Sequence, residues 1–308
     1  MTAIDNLRTR LRALPAFALA FSVTGVAAAA PCADLNPVNP IYGAGGSAVT
    51  ATLGNIAIAL AGLSGDDQVT IFYNDDGGAC TGYQRFLDGA STDINYKYWT
   101  SSGGAPITCQ APASLTTFAH MGATPLLCPA NQPLPAGISK FGAPVPPLPL
   151  LPAFASAEES ISAEALYHIF GFGPGASGRA VEPWVVPNSV FARRTSSFVH
   201  QIVAGAIGVP ATSFKIPSTT PNNFLAENLE TVLKVEEKGT STTPDETLGY
   251  VSGSTAEQGE ADEQIKTLAY QHFDQSCAYL PDTSRERRDR LNARTGQYYL
   301  WTPAWLYA

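Results

Sequence analysis

The sequence predicts an α/β fold with parallel strands, because a strand, a glycine-rich turn and a helix follow one another twice near its start. The first unit spans residues 39–63 and the second spans residues 69–89. Repeated units of this order place helices on the faces of a parallel sheet. Hydrophobic residues make up 45% of the 308 residues, which is enough to pack a globular core.

Composition and spacing assign the elements of both units. In the first unit, NPIYG (39–43) predicts a short strand and SAVTATLGNIAIALAGL (47–63) predicts a helix. In the second unit, the β-branched and aromatic run VTIFY (69–73) predicts a strand. The segment YQRFLDG predicts a short helix that ends at Gly89, since glycine commonly follows the last helical turn.

The elements further along the chain follow from the same signals. The proline-rich run at 142–156 predicts an extended crossover and a domain boundary, because proline excludes helix. SISAEALYHIFGFG (160–173) predicts a helix that starts at Ser160 or Ser162. Strands are predicted at INYKYW, PITCQ, SVFARR and TLGYVSG, helices at FVHQIVAGAIG and NNFLAENLETVLKVEEKG, and either state at IKTLAYQHF.

The start of the chain has the order of a secretory signal. Three arginines precede the apolar run ALPAFALAFSVTGVAAAA, which is short for a membrane span and ends in small residues. We therefore expect residues 1–30 to be a signal peptide cleaved after Ala29 or Ala30, and the mature protein to be periplasmic or secreted. A lipid anchor at Cys32 is not expected, because Pro31 stands where a small residue is needed.

The charge of the chain argues against nucleic acid as a partner. The formal net charge is −8, and removal of an arginine-bearing signal peptide makes the mature chain more acidic. An acidic protein repels the phosphate backbone. The one basic run, RERRDR (285–290), is interpreted as a solvated helix face rather than a nucleic-acid patch.

Five cysteines remain after residue 30, and none has CxxC spacing. In an oxidising compartment such cysteines are more often paired than metal-bound. A disulfide between Cys80 and Cys109 is favoured, because these residues lie in loops that flank one predicted strand region. Since five is an odd number, at least one cysteine is free or pairs elsewhere.

The first candidate site is PIYGAGGSAVTATLG, where glycines join the first strand to the first helix. The amides at such a helix beginning can cradle an anion, and Ser47 adds a hydroxyl. Two alternatives stay open. One is a tight turn with nothing bound. The other is a dinucleotide fingerprint, formed by Gly43, Gly45 and Ala48 with an acid at Asp75 or Asp76.

The second candidate site is the loop NDDGGACTGY after the second strand. Gly77 and Gly78 would allow close approach of a ligand, and Thr81 supplies a hydroxyl. The two aspartates either accept hydrogen bonds from a protonated oxyanion or cap the turn. The spacing of a calcium loop is absent.

The third candidate site is RRTSS (193–197), two arginines and two serines before a helix. Guanidinium, hydroxyl and amide donors together suit an anion. The alternative is a surface strand end followed by a serine N-cap.

Signals for catalysis and metals are scarce in the sequence, and the short dinucleotide fingerprint is its only signal for a cofactor. The four histidines have no metal-ligand spacing, and no G-x-S-x-G motif occurs. His200 follows Ser196 by four residues on a predicted helix, a pairing that is more often structural than nucleophilic. We therefore predict no catalytic residues, no metal and no cofactor, so the protein is not expected to be an enzyme.

Taken in order, several segments resemble those of the phosphate-binding proteins of ABC importers, a periplasmic type II solute-binding family. The resemblance extends from about residue 38 to the end of the chain. It rests on the order of the segments YGAGGSA, YNDDGGACTGYQRFLDG, SISAEALYHIFGFG with VEPWVV, FARRTSSFVHQ and TLGYVSG.

The resemblance implies a two-lobed type II periplasmic-binding-protein-like fold with mixed sheets flanked by helices. Lobe 1 would comprise residues 31–141 plus 251–308, and lobe 2 would comprise residues 142–250. A monomer would bind phosphate or a related oxyanion in the cleft between the lobes and deliver it to an ABC transporter permease. The predicted ligand contacts are Gly46, Ser47, Gly78, Thr81, Arg194, Ser196 and Ser197.

Two departures from the family pattern bear on phosphate specificity. The Ser-Gly-Thr of the last ligand loop is replaced by Ser196-Ser197-Phe198, and a ligand-loop Ser-Asp corresponds to Thr124-Pro125. These departures favour an alternative, in which the chain is a degenerate relative with an interaction or surface role and no small ligand. A secreted hydrolase is a third possibility, which no sequence feature supports.

Overall fold

The largest layer of the molecule is a seven-stranded mixed sheet. The computed structural model describes residues 29–100, 105–122, 134–143, 146–219, 221–241 and 243–308. The strand order in the sheet is β4-β3-β2-β1-β5-β13-β6. The strands are β1 (Pro40–Gly45), β2 (Thr70–Asn74), β3 (Asp93–Tyr98), β4 (Ile107–Pro112), β5 (Thr116–Gly122), β6 (Lys140–Ala143) and β13 (Ala304–Tyr307).

The two predicted strand–turn–helix units are present, but the helix of the second unit begins at Gly78, five residues before the predicted segment YQRFLDG. Strand β1 pairs in parallel with β2 and with β5, while β3 and β4 continue the sheet in antiparallel fashion. Helix α1 (Thr50–Ala61) follows β1 and helix α2 (Gly78–Asp88) follows β2. Gly89 ends α2 in the left-handed conformation at φ 55°, as its glycine identity predicted.

The middle of the chain forms short strand pairs and helices around the largest hydrophobic core. The pairs are β7 (Leu150–Leu151) with β11 (Gly249–Tyr250), β8 (Ser160–Ser162) with β12 (Ala269–Gln271), and β9 (Ala192–Arg193) with β10 (Phe224–Leu225). The helices are α3 (Ala163–Phe172), α4 (Phe198–Ile207), α5 (Asn228–Ser241), α6 (Gly253–Ala261) and α7 (Leu291–Arg294). Among the described residues no helix has the length and apolarity that a bilayer span requires.

One helix begins where the sequence predicts, and another begins later because its first residues pair with a distant strand. Ser162 caps α3, because its hydroxyl accepts a 3.1 Å hydrogen bond from the Ala165 amide. Helix α5 begins at Asn228, several residues later than predicted. The reason is that Phe224 and Leu225 pair in parallel with β9 instead of entering the helix.

The cysteine pairing differs from the prediction. Cys109 on β4 is bonded to Cys32, 77 residues earlier, so the predicted Cys80–Cys109 disulfide is wrong. Cys109 lies at the edge of the sheet against the turn that holds Cys32, whereas α2 carries Cys80 to the strands β1 and β5. Cys80 is itself disulfide-bonded, and Cys277 is an exposed free thiol.

The basic run at 285–290 is not the predicted helix face. It is an irregular segment before α7, and ion pairs hold it against the surface. Arg285 pairs with Glu159, and Arg288 pairs with Glu260 at 2.9 Å. Carboxylates of the protein therefore neutralise much of the charge that the sequence suggested was solvated.

The predicted division of the chain into lobes stays a prediction. Residues 265–271 pair with residues 150–162. Strand β13 pairs with β5 and β6 in the large sheet. The last fifty residues therefore contact both predicted halves of the chain.

Candidate functional site

The glycines after β1 allow close approach by protein groups. A Cβ built on Gly43 would lie 2.0 Å from the Phe118 ring, and one on Gly45 would lie 2.2 Å from the carbonyl oxygen of His120. A Cβ on Gly46 would lie 2.8 Å from the Phe198 ring. These contacts explain the glycines without any ligand, so the geometry of this turn favours the tight-turn alternative.

The second glycine loop lies against the third candidate site. The Cys80 amide donates a 3.4 Å hydrogen bond to the Ser196 carbonyl, and a Cβ on Gly78 would lie 3.1 Å from the same oxygen. Gly78 and Ser196, both predicted contacts, are thus neighbours. The Thr81 hydroxyl donates its proton to the Gly77 carbonyl at 2.9 Å, which leaves only its lone pairs for another group.

Three further segments meet at the side chain of Asn228, the first residue of α5. The Asn228 amide nitrogen lies 3.0 Å from the Ser47 hydroxyl and 3.1 Å from the Ser252 hydroxyl. Its carbonyl oxygen accepts from the Ser252 amide at 3.3 Å. Ser47 precedes α1 and Ser252 precedes α6, so one amide side chain joins the beginnings of three helices.

Arg193 extends this cluster into the interior. Its side chain is almost fully buried at 2% exposure, and its guanidinium donates to the Asn228 carbonyl oxygen and, at 2.6 Å, to the carbonyl of Ala226. Within the described residues it forms no ion pair, and its Nε has no hydrogen-bond partner. Burial lowers the pKa of this guanidinium to about 10, which still leaves it charged at neutral pH.

His200 holds the backbone of Arg193 in place. Its Nε2 lies 2.8 Å from the carbonyl oxygen of Ala211, so Nε2 carries the proton and Nδ1 accepts from the Tyr250 hydroxyl. The Tyr250 oxygen in turn accepts from the Arg193 amide at 3.3 Å. Burial lowers the pKa of His200 to about 4. Both ring nitrogens are engaged, which agrees with the structural role predicted for this histidine.

Arg194 faces a second group of charges. Its Nη2 lies 3.2 Å from a carboxylate oxygen of Glu227, and its buried Nε has no partner among the described residues. Nearby, Lys97 pairs with Asp75 at 2.6 Å, and the Thr50 hydroxyl donates to Asp75 at 2.8 Å. Asp75 therefore binds protein groups, rather than acting as a free acceptor at the loop.

Phe198 covers the junction between the first two candidate sites. The residue opens α4, and 97% of its side chain is out of contact with solvent. Its ring lies against Gly46 and meets the His120 ring edge-on at a centroid distance of 6.1 Å. His120 is fully buried, neither of its ring nitrogens has a partner in the described chain, and burial lowers its pKa to about 3.

The backbone of Ser197, the last residue of RRTSS, is held by its own turn and by the helix that follows. The Ser197 amide donates to the Arg194 carbonyl at 2.9 Å, and the Ser197 carbonyl accepts from Gln201. The Ser197 side chain makes no capping hydrogen bond to α4, contrary to the serine N-cap alternative. Thr124-Pro125, the second departure noted from the sequence, lies outside the described residues.

The sequence missed several residues of this site. Arg193 was recognised only as part of a pair, and Asn228, Glu227 and Ser252 were not singled out. The sequence assignments gave no signal for them, because Glu227 and Asn228 lie inside the helix predicted at 222–239 and Ser252 lies in the strand predicted at TLGYVSG. Over the described ranges, no group of three or more histidine, cysteine, aspartate or glutamate side chains could hold a metal ion.

The chain was compared with known families, curated proteins and solved structures. No family model and no curated protein matches it. A putative phosphate ABC transporter substrate-binding protein with bound phosphate, from Clostridium perfringens, aligns at a TM-score of 0.56 and 12% identity. This alignment covers 87% of the chain and 86% of that protein.

Two further solved structures align with TM-scores below one half. They are an ABC-type phosphate transport receptor from Vibrio cholerae (0.48, 12% identity, 87% and 86% of the two chains) and a possible phosphate binding protein from Planctomyces limnophilus (0.46, 14%, 88% and 81%). At identities this low, the alignment with the Clostridium perfringens protein supports a conclusion because its TM-score exceeds 0.5, and that conclusion concerns the fold. The mixed α/β fold class predicted from the sequence, and its resemblance to phosphate-binding proteins of ABC importers at the level of the fold, are therefore confirmed.

Proposed function

We propose that the chain is an extracytoplasmic solute-binding protein that binds a small oxyanion, with phosphate the first candidate, for uptake by an ABC transporter. The observation that carries the proposal is Arg193, a buried guanidinium without an ion pair in the described part of the chain. A buried charge is costly unless an opposite charge or several hydrogen bonds compensate it. An anion beside Arg193 and Arg194 would supply that charge.

The fold and the sequence support the same proposal. The Clostridium perfringens protein of the same fold is described as holding phosphate. The export signal predicted at residues 1–30 would place this chain outside the cytoplasm, where a binding protein meets its solute. A monomer that binds without chemistry, and hands its ligand to a permease, needs no catalytic residue.

The candidate contacts are revised by the geometry. Gly46, Ser47, Gly78, Thr81, Arg194, Ser196 and Ser197 stay predictions, to which we add Arg193 and Asn228. The Asn228 side chain already bonds Ser47 and Ser252, so it fixes the donor groups around the proposed anion. The Thr81 hydroxyl is the least suited donor, because it is committed to Gly77.

Calorimetric titration of the mature chain, residues 31–308, tests the proposal. Phosphate, sulfate and molybdate are added in turn, and one of them is expected to bind at micromolar concentration or below. The double variant Ser47→Ala with Ser196→Ala should weaken that binding at least tenfold, since each hydroxyl removed loses one net hydrogen bond of about 1 kcal/mol.

A matched control removes two hydroxyls elsewhere. Ser241 and Ser276 are exposed, so their double alanine variant should bind as the wild type does. Lack of heat with all three anions, in a protein that melts cooperatively, would refute the proposal. Equal affinities in both double variants would leave the binding activity standing but reject Ser47 and Ser196 as contacts.

One observation favours a second function, that of a secreted interaction protein with no small ligand. Phe198 fills the space beside Gly46, and the unpartnered His120 ring lies behind it. A bulky ring at a helix beginning excludes an anion from the amides there. The titration distinguishes the two functions, because only the interaction protein would bind none of the three anions.

A further inference from the structure

Few of the hydrogen-bond donors of the Arg194 guanidinium have a partner among the described residues. A guanidinium carries five N–H donors in a planar fork. Here a single contact of 3.2 Å joins Nη2 to Glu227, and Nε is buried without a partner in the described chain. Both side chains of the pair are about one third exposed, at 32% and 37%, so solvent weakens their attraction. An anion that accepts more hydrogen bonds from Arg194 could therefore displace the Glu227 carboxylate.

The backbone of Glu227 is fixed while its side chain is held only by Arg194 among the described contacts. The carbonyl of Glu227 accepts from the Thr231 amide at 3.2 Å and from the Thr231 hydroxyl at 3.1 Å. The Glu227 amide donates to Glu230 at 3.4 Å. A change of side-chain rotamer would therefore move the carboxylate without disturbing α5.

The charges around Glu227 come from four elements. Asp75 follows β2, Lys97 lies on β3, Arg193 ends β9 with Arg194 next to it, and Glu230 lies on α5. Burial, and after it the negative charge of Asp75, raise the pKa of Glu227, against the opposing pull of the cations. Glu230 accepts from the Ala226 amide at 2.9 Å and is not paired with Arg194.

We propose that the Glu227 carboxylate is an internal competitor for the bound anion: it holds Arg194 in the empty site and must release it when the anion binds. This inference rests on the proposed function and adds regulation to the same site. The anion would then accept from the Nη and Nε groups of Arg194 together, which Glu227 does not. The affinity for the anion is then set by the difference in free energy between the contact of Arg194 with the anion and its contact with Glu227.

The competition has a defined pH dependence. Above the raised pKa of Glu227 the carboxylate is charged and competes fully. As the pH falls through that pKa the group becomes neutral, releases Arg194 and lets the anion bind more tightly. The ratio of the wild-type dissociation constant to that of Glu227→Gln isolates this effect, because titration of the anion itself cancels.

The experiment measures that ratio for phosphate and sulfate by calorimetry with the mature chain. At about pH 8, Glu227→Gln should bind about three- to tenfold more tightly than the wild type. The ratio should fall toward one at about pH 5. Glu227→Asp keeps the charge but shortens the reach, so it should resemble Glu227→Gln if contact with Arg194 matters.

A control variant carries the same charge change on α5, the helix that Glu227 directly precedes. Glu237 on α5 pairs with Lys234 at 2.6 Å on the exposed surface, and Glu237→Gln should bind as the wild type does. Equal affinity of Glu227→Gln and wild type at both pH values would overturn the competition and leave the proposed function intact. If Glu227→Asp binds the anion with wild-type affinity, the competition is also overturned, because the charge at residue 227 would then act without contacting Arg194. Failure of the wild type and of every variant to bind phosphate or sulfate would overturn the competition, and failure to bind molybdate as well would overturn the proposed function.

Discussion

Replacing Phe198 with alanine should remove the ring that packs between Gly46, Ala79 and His120. The side chain is 3% exposed, so almost all of its apolar surface is lost from the core. Truncation of a buried phenylalanine costs about 3–5 kcal/mol in the free energy of unfolding. For a chain of this size, each kcal/mol corresponds to about 2–4 °C, so we expect the melting temperature to fall by about 6–20 °C.

Urea unfolding followed by tryptophan fluorescence measures this loss, and Phe141→Ala is the matched control. Phe141 is 54% exposed, so its truncation should cost less than about 1 kcal/mol. A cost for Phe198→Ala no larger than that of the control would refute the packing described here. If the wild type binds no anion but Phe198→Ala binds phosphate, the ring itself occupies the place of the ligand.

Three further outcomes are expected. Loss of the disulfide in Cys32→Ser with Cys109→Ser should lower the free energy of unfolding by about 4.5 kcal/mol for a loop of 77 residues, measured by urea unfolding of both proteins under oxidising conditions, in which the wild type keeps its disulfides. Burial lowers the pKa of His120 to about 3, so the unfolded chain binds a proton below about pH 6.5 that the folded chain does not, and the free energy of unfolding decreases as the pH falls from about 6.5 to about 3. His120→Leu should remove that part of the acid sensitivity at little cost at neutral pH, and unfolding curves parallel to the wild type across the acid range would contradict this. Gly45→Ala should lower the free energy of unfolding by several kcal/mol, because the new Cβ would lie 2.2 Å from a carbonyl oxygen. Gly205→Ala lies in a helix with open space around it and should raise the free energy of unfolding by about 1 kcal/mol. Equal shifts of the melting temperature in the two variants would disprove the close approach at Gly45.

Local signals in the sequence predicted local structure well. The order of strand, glycine turn and helix located β1, α1, β2 and α2, and Ser162 and Gly89 marked helix ends. These signals depend on residues a few positions apart, so the local sequence is sufficient to predict the element. The late start of α5 shows the limit, because pairing with β9 takes Phe224 and Leu225 out of the helix.

Features that depend on distant partners could not be predicted. Arg193 ends β9 and Arg194 directly follows it, and the sequence does not say which of the two enters the core. Spacing alone gave no reason to pair Cys109 with Cys32. The role of Asn228 depends on two helix beginnings, at residues 47 and 252, that no sequence pattern brings together.

Strand β13 has a consequence for how the molecule is made. Residues 304–307 insert between β5 and β6, about 180 residues away from β5 in the chain. The sheet therefore cannot close until residues 304–307 reach β5 and β6, and contacts of such long range form slowly. A transcript cut short before codon 304 would leave two open strand edges, which invite association between chains.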